Sequence, residues 1–163
     1  MSFFDKLLLW LHLGFAIFTI GPLTAVVSAT PRYIRARDVA VVRYLKRATR
    51  LFGLLTLGVF LFGALLGGAH LGQAYLTVSM TLFVVNLVLL VIIDRDQATA
   101  VVALSSESPE DDAKVQTGRI AALGGITALI WLVILVLMVF GGPSHSPTPS
   151  PSPSPTPVPT VTR

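Results

Sequence analysis

Three stretches of this 163-residue chain contain no charged side chain: Lys6 to Arg32, Arg50 to Asp94 and Arg119 to Arg163, end residues excluded. Crossing a hydrocarbon core of about 30 Å takes about 20 apolar residues at helical rise. The first run therefore holds one span, and the 43-residue run Leu51–Ile93 holds two. The third holds one before it turns into proline. A mean hydropathy of +0.78, with 53% apolar and 12% charged residues, points the same way.

The runs place the spans at about 7–29, 51–69, 74–93 and 120–140, so the fold class is all-α: a four-helix antiparallel membrane bundle over residues 1–142. The first span is predicted to end before Thr30-Pro31, because a residue preceding proline is pushed out of the helical region, and Pro22 is expected to kink it. Spans two and three break at Gly67-Gly68-Ala69-His70-Leu71-Gly72-Gln73, where glycine and polar groups concentrate. Gly141-Gly142-Pro143 closes span four. Val27-Ser28-Ala29 resembles a signal-peptide cleavage site, but the apolar run is too long, a basic leader is missing and positive charge follows at once. An uncleaved helix is the expectation.

Orientation follows from counting Lys and Arg in short connections, which resist translocation. The 31–50 connection carries seven (Arg32, Arg35, Arg37, Arg43, Lys46, Arg47, Arg50), the 94–119 connection three, and the 67–73 hairpin none. Both termini are thus expected outside a plasma membrane and both long connections in the cytoplasm. The same seven residues suit anionic lipid headgroups, each worth about 1 kcal/mol near the surface. Their concentration in one inter-span connection argues against nucleic acid as the partner, despite a pI of about 10.0.

Asp38 is a candidate N-cap, with no proline or glycine between it and Gly53, so helix two is predicted to begin in the cytoplasm. Ser108, Pro109 and the acids Glu110, Asp111 and Asp112 form a matching start for helix four. Both helices then extend below the bilayer, one prong basic and the other acidic, and side-by-side packing with mutual neutralisation is the expectation. Small residues that let helices approach closely include Gly21, Gly63, Gly67 and Gly125, with Asn86 as an interhelical hydrogen-bonding group. They serve packing within the chain or a homo-oligomer equally well. Residues 143–163 hold eight of eleven prolines among Ser and Thr and are expected to be a disordered, extended, extracytoplasmic tail.

No Asp, Glu, Lys or Arg falls inside a predicted span, which argues against a charge-coupled pump, and neither a nucleophile triad nor a phosphate loop is legible. Cysteine is absent, so thiolate sites and disulfides are excluded. One soft-ligand set remains: His12, His70, Met80 and Met138 all fall in the outer half, a combination suited to copper or, through the histidines, haem b. Gap-filling methionines and a hydrogen-bonded buried histidine explain the same residues without any cofactor.

The segments "LHLGFAIFTIGPLTA" (11–25), "TPRYIRARD" (30–38) and "ATRLFGLLTLG" (48–58) resemble the small actinobacterial four-span membrane proteins grouped as domain of unknown function 2269. The likeness covers residues 1 to about 140 and implies no reaction. A more distant resemblance is to copper-resistance-D-type membrane proteins, which also place a histidine early in a span. The residues favour a non-enzymatic accessory or scaffold component without a cofactor. The alternative is a haem- or copper-binding redox or metal-handling protein.

Overall fold

A computed structural model describes residues 2–68, 72–106 and 110–141, with side chains given for all of these except 110–114. The described residues form four α-helices: α1 (Phe3–Arg35), α2 (Val39–Gly67), α3 (Ala74–Ser105) and α4 (Glu110–Phe140). Each contains a window long and apolar enough to cross a membrane. α1 and α2 start where side chains satisfy first-turn N–H groups, whereas Gln73 at the start of α3 makes no side-chain cap. Ser2 and Asp5 form a reciprocal capping box on α1, with Ser2 N–H donating to the Asp5 carboxylate at 2.7 Å and Asp5 N–H to Ser2 Oγ at 3.1 Å. Asp38 caps α2 as its position suggests, accepting from the Val41 N–H at 3.0 Å. The Ser108–Pro109 start expected for helix four lies outside the described residues.

Two boundaries differ from those the sequence suggests. α1 does not stop at Thr30-Pro31 but continues through both Pro22 and Pro31 to Arg35. The pre-proline restriction is a bias that packing overrides here: Thr30, Pro31 and Ile34 are all buried against the other helices. α1 then closes in a Schellman turn, with Asp38 N–H donating to Tyr33 O at 3.1 Å and Arg37 N–H to Ile34 O at 3.0 Å. Arg37 takes the left-handed position at φ 55°, where glycine is the usual occupant. α3 likewise runs twelve residues past Ile93, through Asp94, Asp96 and Gln97. Overrun past the apolar run is therefore not confined to helices two and four.

α2 packs against α1 and α3, and α4 packs against the same two helices, so α2 and α4 sit across the bundle with little contact. The side chains of Glu110, Asp111 and Asp112, expected to pair with the basic start of α2, lie outside the described residues. Contacts fix the register. His12 and Phe15 of α1 meet Val59, Phe62 and Gly63 of α2, while Thr30 and Thr49 meet Gln97 of α3. Asn86 faces Thr127, Phe83 stands edge-on to Trp131 at 5.1 Å, and Asp96 pairs with Arg119, all between α3 and α4.

Polarity is inverted relative to a water-soluble bundle. Large apolar side chains cover the outside, among them Ile17, Leu54, Val91 and Leu135, each more than half exposed. Inside, alongside an apolar core of Leu23, Val27, Ile34, Val42, Leu90, Ile93 and Ile120, lie Thr30, Thr49, Thr56, Ser79, Asn86, Gln97 and Thr127, all nearly or fully buried.

Candidate functional site

The set His12, Met80 and Met138 is assembled from three helices around one cavity of about 470 Å³, walled by side chains of all four helices. His70, its fourth proposed member, lies outside the described residues. The His12 ring sits directly over Gly63, so close that a methyl group there would come within 2.9 Å of the imidazole. Gly63 is therefore a close-approach position, as its spacing suggests, and its neighbour across the interface is a histidine.

The proton on His12 is fixed by its partner. Nδ1 lies 2.9 Å from the Val59 carbonyl oxygen, which can only accept, so Nδ1 carries the hydrogen and Nε2 of the neutral ring keeps its lone pair. Such an imidazole can accept a hydrogen bond or ligate a soft metal or a haem iron. The rest of the wall is aliphatic and aromatic, including Ile17, Ile20, Phe60, Phe83, Trp131 and Leu135. Ser79 Oγ and Trp131 Nε1, on residues that contribute to this wall, are buried and have no hydrogen-bond partner among the described residues. The described residues contain no group of three His, Cys, Asp or Glu side chains placed to hold a metal ion.

Close approach within the chain is made at Gly58, where a methyl would run into the Phe15 ring at 2.7 Å, and at Gly124, where it would come within 3.0 Å of Val27 Cγ1. Gly21, which borders the cavity, and Gly125 have no neighbouring atoms within 4 Å of such a methyl, and Gly67 closes α2. Asn86 Nδ2 reaches the Thr127 carbonyl at 3.5 Å, a long interhelical contact that leaves its own carbonyl oxygen without a partner.

At the opposite end of the bundle lies a polar layer with no counterpart in the sequence reading. Gln97, fully buried, donates from Nε2 to Thr30 Oγ1 at 2.9 Å and to Thr49 Oγ1 at 3.1 Å, tying α3 to α1 and α2. The Thr30 hydroxyl donates in turn to Val26 O at 2.9 Å. Beside this node Arg50 pairs with Asp94 at 3.1 Å, and Arg119 Nε approaches Asp96 Oδ2 at 3.0 Å without the alignment of a hydrogen bond. Arg32, Arg35 and Arg37 are exposed at the end of α1, and Arg43, Lys46 and Arg47 line α2 just beyond the node.

Comparison with protein-family models, with curated proteins and with solved structures finds no match to the chain.

Proposed function

We propose that the chain is a multi-pass plasma-membrane protein folded as an antiparallel four-helix bundle, with both termini extracytoplasmic, acting as a non-enzymatic accessory or scaffold component. The observation that carries this reading is the inverted surface: leucine, valine and isoleucine outside, threonine, asparagine and glutamine inside, as lipid rather than water requires. The polar layer supports the placement. Arg50 to Gly67, Ala74 to Asp94 and Arg119 to Phe140 rise roughly 26, 30 and 32 Å, close to one hydrocarbon thickness. The charged and hydrogen-bonded residues then mark the cytoplasmic boundary, in agreement with the seven cations of residues 32–50.

An accessory role is supported by how the interior polar groups are used. Gln97, Asp96 and Asn86 each face a neighbouring helix, the usual work of polar residues in membrane interiors. Gentle-detergent purification of the full chain tests this: a stoichiometric membrane partner that co-purifies supports it, and a monomer turning over a substrate overturns it.

The second reading, haem b or copper handling, is favoured by one observation, the convergence of His12, Met80 and Met138 on one cavity with Nε2 left as the unprotonated nitrogen. Optical spectra and metal analysis of the same preparation decide between them, since a bound chromophore or stoichiometric copper lost in His12→Ala selects the second.

A further inference from the structure

A cleft of about 310 Å³ opens between α2 and α3, lined by Arg43, Lys46, Arg47, Arg50 and Val101. The four cations fall at successive helical turns of α2, so one face of the helix presents all of them over roughly 10 Å. Arg50, at the deep end, is held by Asp94 of α3. Arg43, Lys46 and Arg47 have no acidic partner among the described residues. Three cations around one concavity, without an acidic partner among the described residues, favour an anion there.

The same face of α2 does not end at Arg50. Positions 43, 47, 50, 54, 57 and 61 recur at alternating four- and three-residue steps, and the last three are Leu54, Leu57 and Leu61, all exposed. A cationic cleft thus leads into an outward-facing leucine stripe, with Arg50 and Asp94 at the junction. The complement is an amphiphile with an anionic head and an apolar chain, aligned along α2.

Resting on the membrane reading above, we propose that this cleft is a selective binding site for an anionic glycerophospholipid, its phosphate held by Arg43, Lys46 and Arg47 and its acyl chain lying on Leu54, Leu57 and Leu61. This differs from diffuse attraction of positive charge to a negative surface, which would draw equally on every arginine at that end of the molecule. A zwitterionic lipid is disfavoured because it brings an ammonium, a like charge, close to three cations.

The test uses the full-length protein, delipidated in neutral detergent and offered equal amounts of phosphatidylglycerol and phosphatidylcholine, with retained lipid read by native mass spectrometry. At least tenfold preferential retention of phosphatidylglycerol is expected. The triple variant Arg43→Gln/Lys46→Gln/Arg47→Gln, and separately Val101→Glu, which introduces a carboxylate into the cleft, should each lower it about tenfold. Arg32→Gln/Arg35→Gln/Arg95→Gln, which removes as much charge from exposed positions outside the cleft, should change it less than threefold. Equal retention of the two lipids, equal loss in both triple variants, or displacement by glycerol phosphate as effective as by intact lipid would each overturn the site. Carbonate washing of membranes separates failure of the lipid site from failure of the membrane placement. A chain released by carbonate takes the membrane reading down with it, whereas a chain that stays in the membrane yet shows no lipid preference refutes the site alone.

Discussion

Gln97 joins three helices through one side-chain amide, and its replacement by glutamate tests whether the direction of those hydrogen bonds has been read correctly. Nε2 donates to two threonine oxygens, and the Thr30 hydroxyl has already committed its hydrogen to Val26 O. An ionised carboxylate at this fully buried position has nothing to donate and faces at least one oxygen that cannot donate back. It must therefore take up a proton or disrupt the node. Protonating a glutamate of ordinary pKa at pH 7 costs about 4 kcal/mol, an upper bound on the charge penalty because the neutral acid regains one O–H donor. Gln97→Leu avoids the charge. It loses two interhelical bonds, about 0.6 kcal/mol each, and also removes the unpartnered Oε1, so a net loss near 1 kcal/mol follows. Equilibrium unfolding in a detergent–lipid micelle, measured at pH 7 and pH 5, gives the comparison. Gln97→Glu should be the less stable of the two at pH 7 and should recover by up to about 1.4 kcal/mol for each unit of acidification, while Gln97→Leu stays flat. A glutamate variant as stable as the leucine variant at pH 7 would refute the hydrogen-bond directions assigned to this node.

Three further outcomes follow from the packing. Gly63→Ala and Gly58→Ala should each destabilise by about 1–3 kcal/mol, because the new methyl meets the His12 or Phe15 ring, whereas Gly53→Ala, with open space around it, should be neutral or gain up to about 1 kcal/mol in thermal or denaturant unfolding. Asp96→Asn should be tolerated better than Arg119→Gln, since the second leaves a buried carboxylate without its cation; a denaturation series that reverses this order contradicts the pairing. The Asp5 carboxyl is held below its ordinary value, chiefly by the Ser2 backbone N–H and then by the Ser2 hydroxyl. Because the folded value is the lower one, the capping contribution is present above the ordinary aspartate range and lost as pH falls through the folded value, so the protection of first-turn amides of α1, taken relative to their intrinsic exchange rate at each pH, should fall on acidification; Asp5→Ala should abolish that dependence and Ser2→Ala, which keeps the backbone donor, should only weaken it.

How far the sequence reveals this molecule is clearest in α3. Its apolar run stops at Ile93, and a charge at Asp94 reads as the edge of a helix when hydropathy is the only guide. The buried positions tell a different story: Phe83, Asn86, Leu90, Ile93, Gln97 and Ala100 follow alternating three- and four-residue steps straight through the charges. Spacing rather than hydropathy carried that information, as it did for Thr30 and Ile34 beyond the apparent end of α1. Asp38 was legible as a cap because its role depends only on residues three positions away. The convergence of His12, Met80 and Met138 followed from matched depth along their helices. The contacts of Gly58 with Phe15 and of Gly124 with Val27 depend on the rotation of one helix against another, which a single sequence does not encode locally.

Which end of the bundle faces the cell interior is directly measurable, because the chain has no cysteine. Single cysteines at Ala36, in the turn joining α1 to α2, and at Gln73, at the start of α3, are exposed to a membrane-impermeant thiol reagent in intact cells. Labelling of Gln73→Cys at once, and of Ala36→Cys only after permeabilisation, is the predicted result. Immediate labelling of Ala36→Cys in intact cells would contradict it.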